Sequence, residues 1–121
     1  MAYLYILGTI LFTVYGQLII KWRIGIYGDL PALVADKIIF LFKVLFDPWI
    51  FSGFASAFIA SFFWMATMTK LDLSHAYPFM GLSFVLVLFF SIFFLGEHLN
   101  LYKALGTGLI VLGIVIVSKG I

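Results

Sequence analysis

The chain has 121 residues, of which 65% are hydrophobic and 10% charged, and its mean hydropathy is +1.25. A soluble domain is about 45–50% apolar and about 25% charged. The net charge of +2 comes from 7 Lys and Arg against 5 Asp and Glu, and these residues lie mostly between apolar runs. This composition excludes a disordered chain, a nucleic-acid-binding domain and a typical cytosolic enzyme. It indicates an integral membrane protein.

The residue types that carry most enzyme and metal chemistry are scarce. The chain has no Cys, which excludes disulfides and thiolate sites. His75 and His98 are 23 positions apart and make a poor metal site. No acid/base pair, nucleophile or set of metal ligands is visible, so we expect no catalytic residue, no metal and no cofactor. The first residues lack the basic region of a cleaved signal peptide and are interpreted as the start of a retained helix.

Four apolar runs are long enough to cross a bilayer, which requires about 20 helical residues. They cover residues 3–20, 49–68, 76–95 and 101–118. A helix satisfies its own backbone hydrogen bonds in lipid. We therefore predict an all-α membrane protein with four transmembrane helices in one domain, residues 1–121.

The segment between the first two runs has a different character. It is apolar but carries Asp36, Lys37 and Lys43 soon after Pro31, so it is too charged and too short to span. We predict an amphipathic helix over residues 32–46 that lies in the membrane interface. The alternative is that the second transmembrane helix begins early.

Local signals mark the ends of the later helices. Pro78 is predicted in the first turn of the third helix, where its missing N–H costs little. Gly96 is a plausible C-terminal residue for that helix, and Asn100 a plausible N-cap for the fourth.

The second transmembrane helix has two contrasting faces. One is a stripe of phenylalanines and the other consists of small residues, which allow helix backbones to approach closely. We expect the small face to pack inward and the phenylalanines to face lipid or a partner; the small face could also line a substrate groove. The phenylalanines are Phe51, Phe54, Phe58 and Phe62, and the small residues are Ser52, Gly53, Ser56, Ala57, Ala60 and Ser61.

The first helix carries a polar stripe of Thr9, Thr13, Gly16 and Gln17, followed one turn later by Lys21. Polar side chains are costly in lipid, so we expect this stripe to point into the bundle. Two interpretations remain open. The threonines could bond their own i−4 carbonyls while Gln17 bonds a neighbouring helix, or the stripe could bind a substrate.

Fully charged residues are absent from the middle of every predicted span and gather at the helix ends. A Lys in such a position often only extends to the lipid headgroups. Lys and Arg also suit phosphate, so an anionic headgroup is the alternative ligand. The ionisable residues at the ends are Lys21, Arg23, Lys70, Asp72, His75, Glu97, His98 and Lys103.

The C-terminal half contains Ala76-Tyr77-Pro78, the segment 94–101 (FLGEHLNL) and the segment 106–113 (GTGLIVLG). This pattern resembles the ending of the drug/metabolite transporter superfamily. The first helix, from Gly16 to Lys21, resembles the small multidrug resistance proteins of four helices. Those exporters carry a Glu three residues before that Gly, where this chain has Thr13. Pro78 and Glu97 instead resemble the subgroup that includes the aminoarabinose–phosphoundecaprenol flippase subunits.

The resemblance implies a transporter or flippase, or a flippase subunit, that moves a polyprenyl-phosphate-linked sugar across the bacterial inner membrane. A polar groove would shield the headgroup while the lipid tail stays in the bilayer. On this hypothesis the interfacial helix gathers membrane lipid, and the groove lies between two chains of a homodimer or heterodimer. Thr9, Thr13, Gln17 and Tyr77 are candidates to bind sugar hydroxyls; Lys21, Arg23 and Lys103 to attract the phosphate; and Glu97 to pair with a helix-end cation or a sugar amine.

Two other functions are compatible with parts of the sequence. A small multidrug resistance-type exporter of cations or small metabolites could use the rings of Trp22, Trp64 and Tyr77, although the Glu is missing. A non-transporting scaffold subunit would use the small-residue faces for contact alone. Five Lys and Arg residues fall in or beside the first and third loops and two elsewhere, so the positive-inside rule predicts that those loops are cytoplasmic.

Overall fold

The computed structural model describes residues 2–120. This part of the chain forms six helices: α1 (Ala2–Tyr27), α2 (Val34–Leu45), α3 (Pro48–Met68), α4 (Leu73–Phe79), α5 (Leu82–Phe94) and α6 (Leu101–Ser118). Four stretches are long and apolar enough to cross a membrane, namely α1, α3, the α4–α5 pair taken together, and α6. The predicted fold class, all-α with four candidate spans and an additional helix after the first, is confirmed.

Helix α1 extends seven residues beyond the predicted end of the first span at residue 20. The charged residues Lys21 and Arg23 end the apolar run but continue the helix, because Lys and Arg have good helix propensity. The helix ends just before Gly28, whose φ of +87° belongs to the left-handed region that glycine adopts most readily.

Helices α1 and α3 pack antiparallel, with their closest approach where Gly16 meets Gly53. A Cβ atom on Gly16 would lie 2.8 Å from the carbonyl oxygen of Gly53. One turn away, the Ser56 hydroxyl donates a 2.6 Å hydrogen bond to the carbonyl oxygen of Phe12. Gly53, Ser56 and Ala60 are buried, whereas Phe51, Phe54, Phe58 and Phe62 are all exposed. The prediction that the small face packs inward is therefore confirmed for these three residues, whereas Ala57 and Ser61 of the same face are exposed.

The third span is broken into α4 and α5, and α4 begins at Leu73, three residues before the predicted start. Pro78 is therefore near the end of α4, and its predicted first-turn position is wrong. Proline has no N–H to donate to Ser74 O, and α4 ends one residue after it, at Phe79. The break contains short-range bonds, from Gly81 N to Pro78 O at 2.9 Å and from Phe84 N to Gly81 O at 3.0 Å.

The core is built mainly by one side of α1, where Ile6, Ile10 and Val14 pack with Ala76 of α4. Helix α6 is held more loosely, since Ile114 is its one buried residue. Gly96 has a φ of +70° just after α5, and the Asn100 side chain accepts a 2.8 Å hydrogen bond from Lys103 N. Both predicted helix-end residues are thus confirmed.

The helices run between two ends of the molecule. At one end, which we call the terminal end, Tyr3 of α1 meets His75 of α4, and the Tyr3 hydroxyl oxygen lies 3.2 Å from His75 Nε2. We call the loop end the opposite one, where Arg23 of α1 meets Asp47 before α3. Helix α2 lies at the loop end with Val44 buried. It occupies most of the predicted segment 32–46, and its position in the membrane interface remains a prediction.

Candidate functional site

A cavity of about 290 Å³ lies between α1, α3 and the broken third span. We call it the polar cavity, because several of its walls are hydroxyl-bearing side chains. It is lined by Thr9, Thr13, Ala57, Ala60, Ser61, Trp64, Tyr77 and Met80. It thus brings together three residues that the sequence analysis selected separately: Thr9, Thr13 and Tyr77.

Two hydroxyls of the polar cavity donate to their own helices. Thr9 Oγ1 donates a 2.8 Å hydrogen bond to Tyr5 O, and Ser61 Oγ donates a 2.6 Å bond to Phe58 O. For Thr9 the interpretation as an i−4 back-bonding threonine is therefore confirmed. A hydroxyl that donates in this way still has acceptor capacity, so these oxygens could accept from the hydroxyls of a ligand.

An aromatic pair forms another wall of the polar cavity. The rings of Trp64 and Tyr77 meet edge to face, with their centroids 5.7 Å apart. Tyr77 is 64% exposed, so the cavity is open at the side of the helix bundle. Such rings combine an apolar face with a polar edge, which suits a ligand that is itself partly polar.

Gln17 and Lys21 continue the polar stripe beyond the cavity, toward the loop end. Both side chains are exposed, so the expectation that Gln17 points into the bundle is wrong for the single chain. The reason is the packing of α1. Helix α3 covers the side of α1 that contains Gly16, and the third span covers the side that contains Ile10 and Val14. Gln17 and Lys21 lie between these two covered sides and are left open.

At the loop end, the Asp47 carboxylate accepts five hydrogen bonds. Arg23 donates from Nη2 to Oδ2 at 2.7 Å and from Nε to Oδ1 at 3.3 Å, and the Tyr27 hydroxyl donates to Oδ2. The backbone N–H groups of Trp49 and Ile50 donate to Oδ1 at 2.9 and 3.3 Å. The bonds from Arg23, followed by the bond from Tyr27, hold the pKa of Asp47 well below its usual range.

This network changes the interpretation of Arg23. Its guanidinium binds an internal carboxylate through Nε and Nη2, which gives Arg23 a structural role. Sequence reasoning did not select Asp47, although Asp followed by Pro at the start of a helix is a recognisable N-cap signal. Its pairing with Arg23 depends on the contact between α1 and α3, which no local pattern reveals.

Glu97 and Lys103 lie outside the polar cavity, in and after the loop between α5 and α6, and both are exposed. Lys103 Nζ donates a 3.1 Å hydrogen bond to the carbonyl oxygen of His98. Arg23–Asp47 is the sole ion pair among residues 2–120, so the expected pairing of Glu97 with a helix-end cation is not observed within the single chain. Lys103 shares the loop end with Lys21 and the lysines of α2.

Comparison with known proteins gives a consistent result. The model of the EamA-like transporter family matches residues 1–119. A protein of Aeromonas salmonicida named probable 4-amino-4-deoxy-L-arabinose-phosphoundecaprenol flippase subunit ArnE is 33% identical over 69 residues, 57% of this chain and 60% of the relative. The match thus covers less than two thirds of that relative.

Two further relatives align over almost the whole chain. The correspondingly named subunit ArnF of Aeromonas hydrophila is 35% identical over 119 residues, 97% of this chain and 79% of the relative. Subunit ArnE of Proteus mirabilis is 29% identical over 118 residues, 98% of this chain and 97% of the relative. No solved structure matches the chain.

Proposed function

The chain belongs to the EamA-like transporter family, and on this premise we propose that it is a flippase subunit for a polyprenyl-phosphate-linked sugar in the bacterial inner membrane. The names of the relatives support this substrate class, because both kinds of subunit, ArnE and ArnF, are named for a sugar on phosphoundecaprenol. Such a lipid has a polar, anionic headgroup and an apolar chain. A protein that moves it must shelter the headgroup while the chain stays in the bilayer.

The observation that carries the proposal is the polar cavity and its lateral opening. Thr9, Thr13 and Ser61 supply hydroxyl oxygens, and Trp64 and Tyr77 supply ring surface. Because Tyr77 is largely exposed, a headgroup could enter from the side while its chain remains in lipid. We assign the sugar to this cavity, with Thr13 and Tyr77 as its principal contacts.

The polar stripe supplies a path to the cavity from the loop end. Lys21, Gln17, Thr13 and Thr9 follow one another at four-residue spacing, which puts them on one side of α1. We assign the first contact with the phosphate to Lys21, together with Lys103 at the same end. In this scheme Arg23 keeps its structural role with Asp47, and Glu97 stays available for an amine on the sugar.

The lining of the polar cavity argues against a multidrug exporter. A proton-coupled exporter needs an ionisable group within the membrane, and the cavity lining contains no carboxylate or imidazole. Thr13 occupies the position where the exporters carry Glu. The exporter hypothesis therefore has no group to couple cation and proton movement.

We further propose that a second chain, identical or related, completes the site. The relatives are named as subunits. Helix α6 leaves most of its apolar surface exposed, including Leu105, Leu109 and Leu112. Small residues such as Gly108 have open space around them, and such positions favour close helix contact in lipid.

Reconstitution tests the proposal. The purified chain, alone and with a candidate partner chain, is placed in liposomes with a lipid-linked aminosugar that carries a fluorescent headgroup. A quencher added outside then measures which leaflet holds the headgroup. We expect protein-dependent movement, with the lipid recovered chemically unchanged. No movement with either preparation at any protein density would contradict the proposal and favour the scaffold role.

A further inference from the structure

A second cavity lies on the same side of the α1–α3 pair as the polar cavity, but at the loop end. Its volume is about 460 Å³ and its walls are entirely apolar. We call it the apolar cavity. Its walls come from three helices and include Ile20 and Ile24 of α1, Leu41, Phe42 and Leu45 of α2, and Phe54 of α3.

The spacing of residues on α1 and α3 connects the two cavities. On α1, Thr13 lines the polar cavity, Gln17 follows it, and Ile20 and Ile24 line the apolar cavity. These positions are separated by four, three and four residues, which keeps them on one helix face. On α3, Ser61 and Ala57 line the polar cavity, and Phe54 continues the same face into the apolar one.

The two cavities are therefore successive parts of one groove. Thr13 and Ile20 are seven residues apart, which corresponds to about 10 Å along the helix axis. The half toward the terminal end offers hydroxyls and aromatic edges, and the half toward the loop end offers only hydrocarbon. A ligand that fits both halves has a polar head joined directly to an apolar chain.

Helix α2 covers the apolar half of the groove. Val44 is buried against the rest of the molecule, and the α2–α3 junction is fixed by the hydrogen bonds that Asp47 accepts from α1 and α3. The cover is not closed, since Leu41 is 52% and Phe42 61% exposed. A chain could thus lie under α2 and still pass out into the bilayer.

We propose that the apolar cavity binds the portion of the substrate's polyprenyl chain nearest the phosphate while the sugar occupies the polar cavity. This inference rests on the proposed function and adds an orientation: the headgroup points to the terminal end and the chain runs beneath α2 toward the loop end. The bound lipid is then oriented as a lipid of the leaflet at the terminal end, and α2 is a substrate clamp.

A groove on the opposite side of the α1–α3 pair provides a matched control. It is somewhat larger, about 520 Å³, and is lined by Leu11, Phe12 and Ile59 among others. It has no connection through residue spacing to the hydroxyls of the polar cavity. If apolar surface alone attracted polyprenyl chains, the two grooves would bind them equally.

Photolabelling of the full chain in lipid nanodiscs tests the inference. The probe is polyprenyl phosphate with a diazirine in an isoprene unit near the phosphate, and a diazirine phospholipid serves as the reference. We expect the polyprenyl probe to label residues 20–24 and 41–45 in preference to the phospholipid. Equal labelling by the two probes, or polyprenyl labelling concentrated around Leu11 and Ile59, would overturn it.

Two variants sharpen the test. Leu41→Trp fills the apolar cavity at an exposed position, and we expect it to lower labelling there about tenfold, the effect of denying burial to about two methylene groups. Ile59→Trp, in the opposite groove, should leave labelling unchanged. Equal labelling of Leu41→Trp and the unmodified chain would contradict the inference. Labelling requires no transport, so this test is independent of the flippase assay. The apolar cavity can be shown to bind the polyprenyl chain even if no flippase activity is found, and it can be shown not to bind that chain even if flippase activity is present.

Discussion

Arg23 and Asp47 are joined by two hydrogen bonds, of 2.7 Å and 3.3 Å, that connect the end of α1 to the start of α3. The 23 residues between them include all of α2. The pair therefore closes a loop that positions the amphipathic helix against the groove. The Asp47 side chain is also the N-cap of α3, so one carboxylate combines two structural tasks.

Replacing Asp47 should separate these two tasks. Asp47→Ala removes both the ion pair and the cap, whereas Asp47→Asn keeps a side-chain acceptor for the N-terminal N–H groups of α3. We expect both variants to unfold at lower temperature than the unmodified chain in detergent, with Asp47→Ala the less stable. Equal unfolding temperatures for the three proteins would contradict the role assigned to the pair.

The same carboxylate predicts a dependence of stability on pH. The pKa of Asp47 is lowered in the folded chain by its donors, so its contribution is fully present above the unfolded pKa of about 4. This contribution of Asp47 to the stability of the fold is lost as the pH falls below about 4 and then through the lower pKa that Asp47 has in the folded chain. Unfolding temperature measured from pH 7 to pH 2 should show this acid loss, and Asp47→Asn should show a smaller one. An identical acid loss in both proteins would place the titrating group elsewhere.

The glycine crossing between α1 and α3 should tolerate no side chain. A Cβ on Gly16 would come within 2.8 Å of a backbone oxygen, and backbone cannot yield as a flexible side chain does. We expect Gly16→Ala to cost about 1–3 kcal/mol of stability, as overpacking does. Gly25→Ala is the control, because Gly25 belongs to the same helix and a Cβ added there would meet nothing within 4 Å. Unfolding in detergent measures both, and a neutral Gly16→Ala would contradict the packing.

Loss of the Thr13 hydroxyl should slow movement of the lipid-linked sugar. A hydrogen bond to a ligand is worth about 1 kcal/mol net, so Thr13→Val should reduce the rate about fivefold. Thr13→Ser keeps the hydroxyl and should retain most of the activity in the same liposome assay. If the Val and Ser variants are equally impaired, shape rather than hydrogen bonding accounts for the effect of this position.

The absence of a carboxylate from the polar cavity predicts the behaviour of cells that express the chain. The unmodified chain should give no resistance to toxic quaternary ammonium compounds, since its cavity lining lacks a group that exchanges a cation for a proton. Growth at graded drug concentration, compared with cells that carry the empty vector, measures this. Resistance above the vector level would favour the exporter hypothesis. Thr13→Glu then tests whether a carboxylate alone can confer it.

The spans and the packing face of α3 could be predicted because they depend on local composition. Hydropathy over about 20 residues identifies a span, and helical spacing separates Ser56 from Phe54. The outcomes that could not be predicted depend on contacts between distant segments. Asp47 is recognisable as a cap, but its pairing with Arg23 follows from the antiparallel packing of α1 and α3. Gln17 looked like an inward-facing residue, and it is exposed because the helices that cover α1 pack on either side of it.

The broken third span shows the same limit within one helix. Pro78 suggested a helix start, but α4 begins earlier, at Leu73, and ends one residue after the proline. The meeting of Thr9, Thr13 and Tyr77 follows from the packing of α4 against α1, where Ala76 joins the core. Sequence reasoning selected these residues individually for their chemistry, and their juxtaposition depends on a contact between two segments that are distant in the sequence.

The weak attachment of α6 has a consequence for biogenesis. A Cβ on Gly81 would lie 2.9 Å from Ile110 and 3.2 Å from Ile114, so α6 packs closely against the bend in the third span. Ile114 is the one residue of α6 that is buried. During synthesis the first three spans leave the ribosome before α6, and they contain every residue of the tight α1–α3 pairing. The bend against which α6 packs is thus made entirely of residues that are synthesised before α6. A nascent chain arrested before α6 is made would expose the surface around Gly81 that α6 covers. The insertion machinery and quality-control proteases could then reach that surface.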